Sequence, residues 1–305
     1  MMKTLAFINI KGGVGKTTTT ITIAHILATV YGKKVLVCDL DPQGNTTNMF
    51  YSKPDLSAGA DDPFVANLAY DLALDFSELT GFVPRRPIIG INQPPSIEDL
   101  LLDSALDPHS CIYHTEYENL DYIPSFLSLA EAENKIQADA VTIQQFRLRS
   151  HLKKVQSEYD YCLLDTSPSV SIININGLAA ANKVYVPLRS DLNSITGLRS
   201  VKRLFNTVSD YNPGLEFGGC IFQMWGGYRV DKDAFELLKS CIGESCLDIC
   251  IPQSKLISES TYYRKPLLAY DPKNTKSNPD TDKDFSKVTK AYLSLAELIV
   301  RQNPV

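Results

Sequence analysis

What this sequence lacks narrows it before any motif is read. No apolar run approaches the ~18 residues needed to cross a bilayer. Met1-Met2-Lys3 leads straight into the strand-like Thr4-Leu5-Ala6-Phe7-Ile8, without the charged stretch, apolar core and small-residue cleavage site of a secretory leader. Positive charge is not in excess: 30 Lys and Arg face 35 Asp and Glu, a net charge of -5. That excludes a protein that holds nucleic acid through bulk positive charge and leaves only local basic patches for such a role. Cysteine builds no framework. The seven residues Cys38, Cys111, Cys162, Cys220, Cys241, Cys246 and Cys250 are odd in number, and at least three sit in apolar strand-like runs, as reduced buried thiols of a cytoplasmic protein do. Cys241, Cys246 and Cys250 form no CxxC pair and have no neighbouring His, so their spacing gives no metal site. Internal repeats and low-complexity tracts are absent as well.

What is present is ordinary globular material. An apolar share of 44% with 21% charged residues excludes an intrinsically disordered chain, and 305 residues allow one large domain or two modest ones. Either buries a core without staples. Short runs rich in β-branched residues recur at Leu5 to Ile10, Lys34 to Leu40, Leu120 to Ile123, Tyr161 to Asp165, Val184 to Leu188, Gly218 to Phe222 and Leu247 to Ile251, with helical stretches between them. That alternation predicts an α/β fold: a doubly wound, mostly parallel sheet with helices on both faces.

Three helices are outlined. One runs over 16–30 to a C-cap at Tyr31-Gly32. A second spans about 128–157, with a discontinuous stripe of Ile136, Ala140, Ile143, Leu148, Leu152 and Val155. The third, about 284–301, carries Phe285, Val288, Tyr292, Leu295, Leu298 and Ile299 on one face. That face reads as core or as a membrane anchor, and the core is favoured because Lys and Arg do not dominate the opposite side. Residues 52–95 break the pattern with six prolines and three basic against six acidic residues. They read as an insertion with one short helix near 64–79. The segment 271–283 reads as a polar surface loop.

The decisive string is Lys11-Gly12-Gly13-Val14-Gly15-Lys16-Thr17-Thr18, directly after a strand and opening a helix. Glycines turn backbone N–H groups inward on phosphate oxygens, the helix N-terminus adds partial positive charge, Lys16 reaches the β and γ phosphates, and the Thr17 hydroxyl binds Mg²⁺. Gly12, Gly13, Val14, Gly15, Lys16, Thr17 and Thr18 are therefore candidate nucleotide ligands. Two carboxylates close the strand Val35-Leu36-Val37-Cys38-Asp39-Leu40-Asp41 and point the same way, as a shared metal site requires; a polar turn after a strand gives the same letters. The apolar strand Tyr161-Cys162-Leu163-Leu164 ends in Asp165, the form that holds Mg²⁺ through water.

With Lys11 as a second lysine in the loop, the chain resembles the deviant Walker A ATPases of the ParA/MinD family, P-loop NTPases in which the early lysine crosses a dimer interface to the partner's ATP. Ile10, where MinD-like members usually keep Gly, favours the ParA/Soj branch. The alternative reading of Lys11 is an exposed loop lysine. The resemblance implies that Lys11 and Lys16 stabilise charge on the transferring phosphate, that Asp41 orients the attacking water, and that Thr17, Asp39 and Asp165 lie at the Mg²⁺. It implies base contacts from Gln223, Met224 and Pro252. Thr166-Ser167-Pro168-Ser169 is one proline short of the usual string after the Walker B carboxylate, which puts the local loop shape in question. The implied organisation is one ATPase domain over 1–305 with the insertion at about 52–95.

The implied function is partition or cargo positioning. An ATP-dependent homodimer binds nonspecific DNA, and a ParB-like or other adaptor stimulates hydrolysis and release. Residues 189–203 hold Arg189, Arg199, Lys202 and Arg203 against Asp191, which suits phosphates or is simply a solvated face. No helix-turn-helix precedes residue 3, so operator binding is not expected. A membrane-associated, MinD-like positioning ATPase is the alternative. It needs a terminal amphipathic anchor, for which Arg301-Gln302-Asn303-Pro304-Val305 is poor material. An iron–sulfur carrier on the same fold needs exposed paired cysteines, against which the apolar settings of Cys38, Cys162 and Cys220 stand.

Overall fold

Alternation along the strands sorts the side chains into two layers. In β1 (Lys3–Phe7), Leu5 and Phe7 face one side of the sheet and Ala6 the other; in β2 (Val35–Leu40), Val35 and Val37 oppose Leu36 and Cys38. Both strands are buried on both faces, the mark of a parallel sheet covered by helices. The computed structural model describes residues 1–51, 79, 94–141, 143–272 and 285–305. It divides into Met1–Phe50 with Pro95–Val305, the unit described below, and Tyr51–Pro94. Nearly all of the expected insertion at 52–95, its helix near 64–79 included, lies outside the described residues, as does the 271–283 loop beyond Pro272.

Among the described residues eight strands form one sheet in the order β3-β4-β2-β5-β1-β6-β7-β8, with β3 (Tyr113–His114), β4 (Leu120–Ile123), β5 (Tyr161–Thr166), β6 (Lys183–Leu188), β7 (Glu216–Trp225) and β8 (Cys246–Pro252). All pairings are parallel except that of β3 with β4. The seven expected runs are all strands. The two-residue edge strand β3 has no periodicity to betray it. One face of the sheet carries α1 (Lys16–Thr29) and the C-terminal helix, Lys287–Gln302. The other carries helices 97–102, 129–138, 147–155, 172–180, 192–209 and 229–242.

The long stripe expected over 128–157 is two helices, Leu129–Ala138 and Arg147–Val155, joined through a short 3₁₀ turn at Gln144–Phe146. The break explains why that stripe was discontinuous. In the C-terminal helix, Val288, Tyr292, Leu295, Ala296 and Ile299 are buried against α1 and the sheet, so its apolar face is core. Asp271 is not part of a polar surface loop: it is buried, and its Oδ2 accepts hydrogen bonds from the Thr289 hydroxyl (2.6 Å) and the Ser286 N–H (2.9 Å). Helix 172–180 approaches the sheet closely at Gly177, where an added Cβ would meet Leu40 Cδ1 at 2.7 Å.

α1 also buries a histidine. His25 is 4% exposed and packs edge-on against Tyr117 at 4.5 Å. Burial, opposed by the Glu116 carboxylate, pulls its imidazole down to about 4. The folded protein therefore holds His25 neutral while the unfolded chain protonates near its ordinary value of 6.5. The stability this group contributes is complete above that value and is lost as the pH falls toward 4. Denaturant melts of the wild type and His25→Leu across pH 7 to 4 should diverge below about pH 6.5, the wild type losing about 3 kcal/mol more by pH 4. Parallel pH profiles would refute a neutral buried His25.

Candidate phosphate-binding site

The parallel sheet brings the C-terminal ends of its strands to one edge, and the loop after β1 crosses that edge before α1 begins. Two glycines make the turn. Gly13 (φ 68°) and Gly15 (φ 83°) are left-handed, a conformation that costs an L side chain energy, and Gly15 is the N-cap of α1. At Gly15 an added Cβ would also meet Gln223 Oε1 at 3.1 Å. Lys16 is buried at the start of the helix, its Nζ donating to the Lys11 carbonyl at 3.2 Å. Burial lowers its pKa, while the charges of Asp165 and Asp41 raise it.

Two acids stand side by side below the loop. Asp39 on β2 pairs in register with Asp165 on β5, and both are fully buried. Their surroundings differ. Asp39 Oδ1 accepts the Asp41 N–H (3.1 Å), and its Oδ2 accepts the Thr47 N–H and hydroxyl, both at 2.8 Å. Burial and then the charge of Asp165 push its pKa well up, against those hydrogen bonds. Asp165 Oδ2 accepts the Thr46 hydroxyl at 2.8 Å, and its Oδ1 is buried with no hydrogen-bond partner among the described residues. Burial raises Asp165 to about 6, against the nearby Thr17 and Thr46 hydroxyls and the Lys16 ammonium. A buried carboxylate oxygen without a donor, beside a threonine hydroxyl, fits a hard cation. Asp165 and Thr17 are thus the residues that would hold Mg²⁺. Asp39, also expected near the metal, bonds the loop that follows it and anchors that loop beside the site.

Asp41 follows on that anchored loop, 7% exposed. Its Oδ1 accepts the Gln43 N–H (3.0 Å), while its carbonyl accepts the Ser125 hydroxyl (2.8 Å) and the Gly44 N–H (2.9 Å). Thr47 in turn receives the Ser125 N–H at 2.8 Å, so the loop is tied to the end of β4. The segment after Asp165, one proline short of the usual string, is held by Asn174, whose Nδ2 donates to the carbonyls of Ser167 (2.9 Å) and Ser169 (2.6 Å).

Lys11 turns away from its own loop. Its Nζ lies 2.5 Å from Asp191 Oδ1, and Asp191 caps the helix Leu192–Ser209 by accepting the Ser194 N–H (3.0 Å) and hydroxyl (2.9 Å). Partial burial of Asp191 is outweighed by Lys11 and Ser194, which hold its carboxyl at about 2. Asn9, buried, accepts the Lys11 N–H at 3.0 Å and donates to the Pro187 carbonyl at 2.7 Å.

The expected base contacts do not come together. Gln223 is a buried strut, its Nε2 donating to Thr19 (3.1 Å) and its Oε1 accepting the Tyr292 hydroxyl (3.2 Å), so its amide is already used. Met224 is 40% exposed with φ 56°, and Pro252 ends β8 opposite Trp225. Neither lines the cavity of about 260 Å³ that opens beside the loop among Thr17, Thr18, Asn45, Met49, Thr261 and Lys265. Arg189, Arg199, Lys202 and Arg203 are exposed; Arg189 Nε approaches Asp191 Oδ2 at 3.9 Å, and the other three lie on helix 192–209. Thr46, Thr47, Ser125 and Asp191 bond the candidate site residues, and sequence reasoning passed them over. Only Asp191 carried a signal, a helix-capping Asp with Ser three residues on.

A glycine loop opening a helix, a buried lysine and a Walker B carboxylate at the C-terminal edge of a parallel sheet define a P-loop nucleotide-binding protein. A family model described as an AAA domain matches residues 2–217. The chain is 29% identical over 279 residues to the sporulation initiation inhibitor protein Soj of Bacillus subtilis, covering 90% of this chain and 93% of that one. It is 30% identical over 289 residues to the virulence plasmid ParA family protein pGP5-D of Chlamydia psittaci, covering 95% and 93%. The chain belongs to the ParA family of ATPases. The fold also matches the crystal structure of cobyrinic acid a,c-diamide synthase from Mycobacterium smegmatis with bound ATP analog and magnesium (TM-score 0.70, 24% identity, 99% of this chain and 96% of that one). That likeness shows the fold alone.

Thr46 gives the site a test of its own. Thr46→Val removes a hydroxyl bonded to Asp165 Oδ2 and should weaken Mg²⁺-dependent ATP binding about 10- to 100-fold, as loss of a ligand's supporting partner does, with little change in melting temperature. Titration calorimetry with ATP in the presence and absence of Mg²⁺ reads it. Unchanged Mg²⁺ dependence would show that Asp165 needs no such support.

Proposed function

We propose that this protein is a partition or cargo-positioning ATPase that works as a Mg²⁺-ATP-bridged dimer. The observation that carries the reading is the direction of Lys11, which leaves its own phosphate loop to Lys16 and the backbone and extends to Asp191 at the loop's flank. A lysine so placed serves a second copy's ATP better than its own. Thr17 and Asp165 would hold the metal, Lys16 would reach the β and γ phosphates, Lys11 would add charge across the dimer, and Asp41 would orient the attacking water. Hydrolysis then times the dimer's lifetime instead of making a metabolite, and it is slow until a ParB-like or other adaptor stimulates it.

The dimer's cargo contact is nonspecific DNA. Arg199, Lys202 and Arg203 stand exposed on one helix with no acidic partner among the described residues, in a protein of net charge -5. Such a grip is local, salt-dependent and weak per protomer, so pairing two copies decides whether DNA is held. The protein is then cytoplasmic and nucleoid-associated when ATP is bound. The C-terminal helix supports this over a MinD-like membrane reading, since its apolar face is occupied by the core.

Two outcomes test it. ATP-dependent retention on nonspecific duplex should fall steeply between low and physiological salt, and the triple variant Arg199, Lys202 and Arg203→Glu should lose it while keeping ATP turnover. No ATP-dependent retention of the wild type at low salt would sink the DNA role. Sedimentation with ATP should show dimers for the wild type and Asp41→Ala but monomers for Lys11→Ala, with Asp41→Ala turnover reduced about 10²-fold or more.

A further inference from the structure

Helices Leu192–Ser209 (α2) and Arg229–Ile242 (α3) leave between them, over the start of β7, a groove of about 540 Å³. Its walls are apolar. Ile195, Leu198 and Phe205 come from α2, Phe217 from β7 and Ile242 from the end of α3. Phe217 is 41% exposed even though it packs edge-on against Phe205 at 6.4 Å. Arg199 and Lys202 border the same groove, both exposed, and neither has an acidic partner among the described residues. Burying this surface would be favourable, and leaving it in water wastes an aromatic and several aliphatic side chains.

We propose that this groove docks an amphipathic helix of a partner protein, apolar along the buried stripe and acidic along the edge that meets Arg199 and Lys202. Ile195 and Phe205 are ten residues apart on α2, about 15 Å of helix, which matches about three turns of a partner helix. Duplex DNA would satisfy the two cations but would present nothing to cover Phe217, Leu198 and Ile242. The location ties docking to the nucleotide site through one rigid element, because α2 begins at Asp191, whose carboxylate holds Lys11. The proposal deepens the partition reading by giving the adaptor's contact a place and a chemistry. It rests on that reading only for the partner's role, since the groove is a property of α2, α3 and β7.

The probe is a synthetic helical peptide of about 14 residues with leucines at i, i+3, i+4 and i+7 and glutamates along one flank, paired with a control carrying lysines in their place. Fluorescence anisotropy with the full chain should show the acidic peptide binding at least tenfold more tightly than the basic one. Phe217→Ser and, as a second variant that fills the groove's mouth from the exposed Asn206, Asn206→Trp should each weaken it tenfold or more. Lys202→Glu should weaken the acidic peptide and strengthen the basic one. No binding of the acidic peptide to the wild type, or binding indifferent to both Phe217→Ser and Asn206→Trp, would overturn the proposal. Loss of DNA retention in Phe217→Ser would overturn it too, by giving the apolar wall to nucleic acid. Failure of the wild type to retain DNA, with peptide binding intact, would count against the partition reading alone.

Discussion

Two carboxylates buried next to one another in register, Asp39 on β2 and Asp165 on β5, are the constraint around which the site is organised. Ionised acids in a low-dielectric interior are costly unless each finds donors or a cation. The chain meets the demand unequally. Asp39 takes three donors from the loop that follows it, which fixes Asp41, Thr46 and Thr47 in place. Asp165 Oδ2 takes the Thr46 hydroxyl, and its Oδ1 has no hydrogen-bond partner among the described residues. One acid is bonded to the loop that follows it and the other keeps an oxygen that would suit a cation, though both end apolar strands in the same sheet.

The same division of labour separates the two lysines. Lys16 lies buried among acids that offset its desolvation. Lys11, five residues earlier, is half-exposed and is held by Asp191 at the head of the helix that carries Arg199, Lys202 and Arg203. The phosphate loop, Lys11 and the basic helix are therefore linked by an ion pair. That pair is partly solvated, and exposed pairs of this kind are weak.

Much of this was legible in the sequence. The seven strands announced themselves by β-branched apolar runs, and the glycine loop by spacing that serves backbone geometry. Asp165 was legible because an apolar strand ending in Asp has few other uses. The two roles of Asp39 and Asp165 were not, because the difference lies in Thr46, Thr47 and Ser125, three small hydroxyls whose meaning depends on where β4 ends. The setting of Gln223 was hidden for a related reason: its partners, Thr19 and Tyr292, come from α1 and the C-terminal helix. The break inside 128–157 was foreshadowed by a stripe that did not continue. The groove beside Phe217 draws on three elements, and no single stretch of sequence displays it.

The most direct test of the site's organisation compares Asp165→Asn with Asp39→Asn in calorimetric titrations of ATP with and without Mg²⁺. Asp165→Asn should abolish the gain in affinity that Mg²⁺ confers on the wild type while leaving the fold intact. Asp39→Asn should keep that gain and lose thermal stability as its loop loosens. The reverse pattern, with Mg²⁺ dependence lost in Asp39→Asn and kept in Asp165→Asn, would contradict the assignment of scaffold and ligand.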